Sequence, residues 1–295
     1  MAQMTKMAGS TSKETRVIDT IAAIRDAVQS EKSAGRTIGL VPTMGALHAG
    51  HLRLVEASLH ECDSTFVTIF VNPSQFAEGE DCSQYPRTLQ ADTDELARLG
   101  VQWVFAPAAG EIYPPGFSTH VDPPDEARRW EGVCRPTHFR GVATVVLKLF
   151  QIIPADVAFF GQKDYQQSVI VQRMAADFNL PIRIHICPTV RDKDGLAISS
   201  RNCYLSDEER CQAPSLFGCL NLAAEMFAAG ERSAAKVTAH MRQALADAGV
   251  LRIEYVALVH PLTLEEVHLI DDTTIAIVAA YVGSTRLIDN RTMGR

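Results

Sequence analysis

Two histidines, His48 and His51, lie three positions apart in the segment PTMGALHAGH (residues 42–51). The segment follows an apolar run and precedes apolar residues at helical spacing, which predicts a strand and then a helix from about Ala49. A helix N-terminus presents free N–H groups and the positive end of the helix dipole to phosphate. Two imidazoles at i and i+3 can share one face of the first turn and donate hydrogen bonds to phosphate oxygens. The chemistry expected of them is stabilisation of the negative charge that develops as a pyrophosphate leaves.

Two further segments offer cations and hydroxyl groups. GQKDYQQ (161–167) follows the predicted strand DVAFF and carries Lys163, a point charge of the kind that binds phosphate. The loop DGLAISSRNCYLS (194–206) supplies two hydroxyls and a fork-shaped cation, namely Ser199, Ser200 and Arg201. Both segments therefore contain ligands for a polyphosphate.

A fourth segment, VNPSQF (71–76), ends a predicted strand and offers the amides of Asn72 and Gln75 to a small polar substrate. Ligands of open α/β sheets bind at the carboxyl ends of the strands. Four polar segments at strand or domain ends therefore favour one shared binding site.

Each segment also has a simpler explanation. The two histidines are compatible with a zinc half-site, although no third ligand stands at a usable spacing. An ordinary capped turn that carries two surface histidines is a stronger alternative than the zinc half-site. A single lysine is usually solvated, and the triplets SSR and VNP are usually a loop and a strand end. The interpretation as a ligand site therefore depends on all four segments occurring together in one chain.

The elements that must position these residues follow from the apolar pattern. Strand-like runs alternate with helical stretches up to about Pro188, which predicts βαβ units and a parallel sheet covered on both faces. Beyond it, helices over about 206–229 and 232–248 precede two strand-like runs, which predicts a small α+β domain. The predicted organisation is a flexible polar tail over 1–16, a ligand-binding domain over 17–188 and a small domain over 189–295.

Composition excludes several functional classes. A net charge of −7 and a pI near 5.7 argue against a general nucleic-acid binder, which needs a basic surface. No segment is long and apolar enough to span a bilayer, and the N-terminus has no apolar core of a signal peptide. The 7 cysteines are scattered without a CxxC pair, as is usual for reduced thiols. A cytoplasmic protein is expected.

The motifs taken together resemble the pantoate–β-alanine ligase family. The resemblance starts at about residue 17 and is carried by PTMGALHAGH, FVNPSQF, YPRTLQAD, EGVCRPTHFRGV, FGQKDYQQ and DGLAISSRNCYLS. It implies a Rossmann-like α/β domain with a small C-terminal lid domain, and a homodimer. It also implies ligation of (R)-pantoate to β-alanine with ATP and Mg²⁺ through pantoyl adenylate, with release of AMP and pyrophosphate.

The resemblance also implies roles for individual residues. His51 matches the family's proton-donor histidine, and with His48, Lys163 and Arg201 it would form the catalytic group. Gln75 and Gln167 would hold pantoate, Gln75 would also touch β-alanine, and Asp92 matches a position linked to magnesium. The expected ATP-binding residues are Met44, Gly45, Ala46, Leu47, His48, Ala49, Gly50, His51, Gly161, Gln162, Lys163, Asp164, Val190, Ile198, Ser199, Ser200 and Arg201.

Three positions depart from the family pattern. Ala49 replaces a residue that is often acidic, and Ile198 replaces a methionine, and neither change should stop the chemistry. Cys203 stands where the family has glycine, so local strain is expected there if that position needs a positive φ. Two other functional classes stay open at this stage, a nucleotidyltransferase that only adenylylates and a catalytically silent nucleotide-binding protein.

Overall fold

The computed structural model describes residues 14–76 and 82–294, which fold around two sheets. The strands are β1 (Arg16–Ile18), β2 (Ile38–Thr43), β3 (Ser64–Ile69), β4 (Trp103–Phe105), β5 (Val157–Gly161), β6 (Arg183–Cys187), β7 (Arg252–Val259), β8 (Ile275–Val282) and β9 (Thr285–Thr292). The helices are α1 (Ile21–Ser33), α2 (Ala49–Glu61), α3 (Leu89–Leu99), α4 (Ala109–Ile112), α5 (Glu131–Cys134), α6 (His138–Ile152), α7 (Tyr165–Asp177), α8 (Asp207–Gln212), α9 (Ser215–Ala228) and α10 (Ala234–Asp247).

The larger sheet has 6 parallel strands in the order β1-β4-β3-β2-β5-β6. The chain runs outward from β2 to β3 and β4, then returns to place β5 on the other side of β2. The strand order therefore reverses between β2 and β5, where ligands of such sheets bind. The predicted α/β class with a parallel sheet is confirmed.

Apolar residues of β2, β3 and β5 are buried, because helices cover both faces of the sheet. Helix α6 lies so close to the segment after β3 that a Cβ on Gly141 would stand 2.2 Å from the carbonyl oxygen of Ser74. Glycine is required at that contact. This close packing fixes the position of residues 73–75 relative to the sheet.

The smaller sheet is antiparallel in the order β7-β8-β9. Helices α9 and α10 cover one face. The other face packs against α7 of the larger sheet, where Val169 contacts a cluster that includes Tyr255 and Ile277. The end of α7 that carries the GQKD segment is therefore in contact with both sheets.

Several elements differ from the sequence-based expectation. β1, α1 and β9 were not predicted, and the helix expected over 206–229 is interrupted at Pro214, which cannot donate a backbone hydrogen bond. Arg16, assigned to the tail, is the first residue of β1; the tail over 1–13 lies outside the described residues. Within residues 14–76 and 82–294, no helix has the length and apolar character needed to cross a membrane.

Candidate active site

A cavity of about 230 Å³ opens at the carboxyl ends of β2 and β5. Most of the residues singled out from the sequence line it: Met44, His48, Gly50, His51, Gln75, Gly161, Lys163, Asp164, Gln167, Val190, Ile198, Ser199, Ser200 and Arg201. The remaining predicted residues, Gly45, Ala46, Leu47, Ala49, Gln162 and Asp92, are not part of this lining. The four segments singled out from the sequence thus meet at one cavity.

The His48 and His51 rings stack, with their centroids 4.1 Å apart. His48 precedes α2, and a Cβ on Gly50 would stand 3.0 Å from its ring, so glycine leaves room for the stacked pair. Burial, the neighbouring His48 and the charge on Lys163 lower the pKa of His51 to about 3. Burial and Lys163 also lower the pKa of His48. Both rings are therefore neutral near pH 7 in this structure.

The loop before these histidines has an unusual backbone. Gly45 and Ala46 both have positive φ values, of 82° and 50°. The carboxylate of Asp92 on α3 accepts hydrogen bonds from the backbone N–H groups of Ala46 at 2.9 Å and Leu47 at 2.8 Å. Asp92 is only 3% exposed, so its contacts with the loop are shielded from water. The structure shows Asp92 holding the loop, and its predicted contact with magnesium stays a prediction.

Gln75 is held in part by His138 and Arg135, which the sequence analysis quoted but to which it assigned no role. Its backbone carbonyl accepts hydrogen bonds from His138 Nδ1 at 2.8 Å and from Arg135 at 3.3 Å. Its side-chain amide accepts from Asn72 and donates to the sulfur of Met44. Asn72 is only 1% exposed, so it positions Gln75 rather than offering its own amide freely to a substrate.

The two adjacent glutamines of α7 have different surroundings. Gln167 lines the cavity. Gln166 is buried and donates to the carbonyls of Glu126 and Arg129, each at 2.8 Å, and accepts from the Glu131 N–H. Gln166 is therefore a structural residue that fixes the segment before α6.

Residues of β9, which the sequence analysis did not identify, reach the site. Asn290 donates to the carbonyls of Gln162 and Lys163. Asp289 is buried and accepts two hydrogen bonds from Arg191, whose guanidinium also lies 3.8 Å from the ring centroid of Phe217. Arg191 begins the loop that leads to Ser199, so β9 is connected to both sides of the cavity.

That loop ends in a short 3-10 helix, Ser200–Tyr204, capped by the Ser199 hydroxyl. The Ser200 hydroxyl lies 3.2 Å from that of Tyr85, a residue of the YPRTLQAD motif. Strain at Cys203 was expected only if the position needed a positive φ, and Cys203 does not have one. It lies within the 3-10 helix, where its thiol donates to the Ser200 carbonyl at 3.0 Å.

Among the described residues, no group of three or more His, Cys, Asp or Glu side chains is placed to hold a metal ion. Asp164 is the one acidic side chain that the described part of the chain contributes to the cavity lining. Mg²⁺ usually keeps several waters and is bound by one or two carboxylates together with substrate phosphates. The donor set fits an ion that arrives with a nucleotide and does not fit a protein-only metal cage.

Comparison with known proteins gives a consistent result. The sequence model of the pantoate-beta-alanine ligase family matches residues 16–292. Pantothenate synthetase of Chloroflexus aurantiacus is 49% identical over 276 residues, covering 93% of this chain and 97% of that protein. Pantothenate synthetase 1 of Bradyrhizobium diazoefficiens is 50% identical over 280 residues, again covering 93% of this chain and 97% of that protein.

Solved structures agree with the sequence relatives. The crystal structure of pantothenate synthetase from Thermus thermophilus superposes with a TM-score of 0.91 at 42% identity, covering 95% of this chain and 100% of that one. The pantoate-beta-alanine ligase of Francisella tularensis, complexed with beta-gamma ATP and beta-alanine, superposes with a TM-score of 0.81 at 32% identity, covering 96% of this chain and 99% of that one. The chain therefore belongs to the pantoate–β-alanine ligase family.

Proposed function

We propose that this chain joins (R)-pantoate to β-alanine with ATP, through a pantoyl-adenylate intermediate held in the cavity at β2 and β5. The observation that carries the proposal is the meeting of two ligand sets at one cavity. His48, His51 and Lys163 stand beside the SSR segment, and Gln75 and Gln167 line the same space. The imidazoles, the cations and the serine hydroxyls suit the oxygens of a polyphosphate, and the two glutamine amides suit the hydroxyl and carboxylate groups of a hydroxy acid.

In the first half-reaction a carboxylate oxygen of pantoate attacks the α-phosphorus of ATP. The bond from that phosphorus to the bridging oxygen breaks, and pyrophosphate leaves with the electron pair. Positioning and charge stabilisation dominate such a step. His51, His48 and Lys163 would hold the α-phosphate and the departing group, while Ser199, Ser200 and Arg201 would hold the outer phosphates.

The histidines would act as neutral hydrogen-bond donors, because their pKa values are lowered. A neutral imidazole carries one N–H, so each ring offers a single directed donor. The Nδ1 atoms of both rings are buried and have no hydrogen-bond partner among the described residues. The proton-donor role proposed for His51 is thus a hydrogen-bond donation that strengthens as the phosphate charge increases.

In the second half-reaction the neutral amine of β-alanine attacks the acyl carbon of the adenylate. A C–N bond forms, AMP leaves with the electrons of the C–O bond, and the new amide loses one proton. No covalent enzyme intermediate is needed. The cysteines at 62, 187 and 219 are buried, and burial raises their thiol pKa values, which makes them poor nucleophiles.

Magnesium would enter with ATP and would offset negative charge on its phosphates. Asp164 lines the cavity beside Lys163 and would contact such an ion directly or through water. Asp92 would contribute indirectly, because its carboxylate holds the backbone of the loop at Ala46 and Leu47. Five further residues proposed to bind ATP would also act through their backbone, which lies behind or beside the cavity wall: Gly45, Ala46, Leu47, Ala49 and Gln162.

We further propose that residues 189–295 form a lid on the domain over 17–188, that the chain forms a homodimer, and that it works in the cytoplasm. The lid proposal is supported by the origin of the residues that line the cavity. Lys163 follows β5 of the larger sheet, whereas Arg201 follows the loop that Asp289 of β9 binds through Arg191. Enclosure matters because an acyl adenylate hydrolyses in water.

The test is pyrophosphate release from ATP with (R)-pantoate, measured with and without β-alanine, together with identification of the products. The expected result is one enzyme equivalent of pyrophosphate without β-alanine and continuous release with it, accompanied by pantothenate and AMP. A dinucleotide product would identify an enzyme that only adenylylates. Absence of ATP turnover under all conditions would identify a silent nucleotide-binding protein.

A further inference from the structure

The side chain of Asn290 joins the small sheet to the segment that carries Lys163. Its amide nitrogen donates to the carbonyl oxygens of Gln162 and Lys163, both at 2.9 Å. Asn290 is 3% exposed and lies in β9, on the strand face that also presents Arg286 and Ile288. These two hydrogen bonds are therefore shielded from competition with water.

The two carbonyls belong to the two peptide planes on either side of the Lys163 Cα. The Gln162 carbonyl is in the plane that includes the Lys163 nitrogen, and the Lys163 carbonyl is in the plane that follows. Hydrogen bonds to both carbonyls restrain the two planes, which restrains φ and ψ at Lys163 and therefore the direction of its Cα–Cβ bond. One amide group thus restrains the direction in which the lysine side chain leaves the backbone.

Asn290 is itself held in place from the other side of the cavity. Asp289 accepts a hydrogen bond from the Asn290 N–H at 2.8 Å, and the same carboxylate binds Arg191. Arg191 also donates to the carbonyl of Gly195, within the loop that leads to Ser199. A continuous set of bonds therefore runs from that loop through Asn290 to Lys163.

We propose that Asn290 is a positioning residue for Lys163, and that through it the small sheet aligns the lysine with the phosphates. The inference rests on the proposed function, because it takes Lys163 as a phosphate ligand. Asn290 Oδ1 is buried and has no hydrogen-bond partner in the described part of the chain, so the polar contacts seen for this side chain are the two bonds that its nitrogen donates. Its two donated bonds distinguish it from an apolar residue of the same size.

The test compares Asn290→Asp and Asn290→Ala with wild type in single-turnover formation of pantoyl adenylate. Neither replacement can donate to the two carbonyls. A misplacement of about 1 Å at a reacting group lowers a rate by roughly 100-fold, so we expect a roughly 10- to 100-fold slower step with unchanged pantoate affinity. The matched control is Val256→Ala, which removes buried volume on the helix-covered side of the same sheet. It should lower stability without lowering the rate.

A Lys163→Ala background separates the possible outcomes. If Asn290 acts through Lys163, Asn290→Asp adds no further loss to Lys163→Ala. The proposal is overturned if the Asn290 variants keep the wild-type rate, if the losses multiply, if Val256→Ala slows the step equally, or if both Asn290 variants fail to fold. An unchanged rate in Lys163→Ala alone would instead contradict the proposed function.

Discussion

Asp92 holds Ala46 in a left-handed backbone conformation, with φ at 50° and the Ala46 N–H 2.9 Å from Asp92 Oδ2. Its other oxygen accepts from Leu47 and from the hydroxyl of Thr88. A non-glycine residue in that conformation costs about 1 kcal/mol or more, so the carboxylate offsets a local strain. The conformation of the loop that leads to the paired histidines therefore depends on a residue of α3, which lies outside the loop.

Asp92→Asn should disturb this arrangement, because the amide nitrogen of asparagine would face an N–H donor. We expect a loss of about 1–3 kcal/mol in the free energy of unfolding, faster hydrogen exchange at the Ala46 and Leu47 amides, and slower adenylate formation. Asp94→Asn is the control, since Asp94 is exposed on the same helix. An altered dependence on Mg²⁺ concentration with unchanged amide exchange would show that Asp92 serves the metal instead.

His51→Ala should slow adenylate formation much more than it weakens ATP binding, because its donated hydrogen bond matters most as charge develops. Removing one such donor costs on the order of 100- to 1,000-fold in rate. The rate is measured in a single turnover, and ATP affinity by calorimetry. His60→Ala, on the exposed face of α2, is the control and should behave as wild type. Near-normal turnover of the His51 variant would rule out the assignment.

The lowered pKa of His51 also makes stability depend on pH. Its pKa falls from 6.5 to about 3, so between these values the unfolded chain binds a proton that the folded chain does not. Stability is therefore full above pH 6.5 and decreases as the pH falls through this window. Between pH 6.5 and about 5, the free energy of unfolding of the wild type, measured in urea, should fall by about 1–2 kcal/mol more than that of His51→Gln. Equal pH slopes, with His60→Gln as control, would contradict the shift.

Gln166 and Gln167 should respond to the same substitution in different ways. Gln167→Ala should weaken pantoate binding by about 1–3 kcal/mol and leave the unfolding free energy unchanged. Gln166→Ala removes the three hydrogen bonds of a buried side chain and should mainly destabilise the fold. Calorimetric titration with pantoate and urea unfolding measure the two effects. A reversed pattern would mean that the cavity contacts have been assigned to the wrong residue.

The features predictable from sequence are those with local signals. The helix start at Ala49 and the ligand-rich strand ends follow from apolar periodicity and turn residues, so the order of elements around the cavity was anticipated. The role of Asp92 could not be predicted, because it depends on a loop 46 positions away. The backbone conformation of Cys203 could not be predicted either, because it is set by the 3-10 helix around it and not by residue type.

The contacts of β9 were missed for a related reason. Its sequence TRLIDNRT is polar and lacks a long apolar run, although buried and partly exposed residues alternate over its first four positions. Asn290 pairs with Gln162 across 128 positions, and only the packing of α7 on the small sheet brings them together. Such a contact has no signal within a short window of sequence.

The position of β9 has a consequence for biosynthesis. It follows every other helix and strand of the described chain in order of synthesis, yet Asp289 and Asn290 connect both sides of the cavity. All six strands of the larger sheet precede β9 in the sequence, so they leave the ribosome before it does. If the larger sheet forms first, Lys163 would not yet be aligned by Asn290, so adenylate formation would be slow until β9 has joined the small sheet. Incomplete chains would therefore produce little of the reactive acyl adenylate, which the finished protein makes in an enclosed cavity.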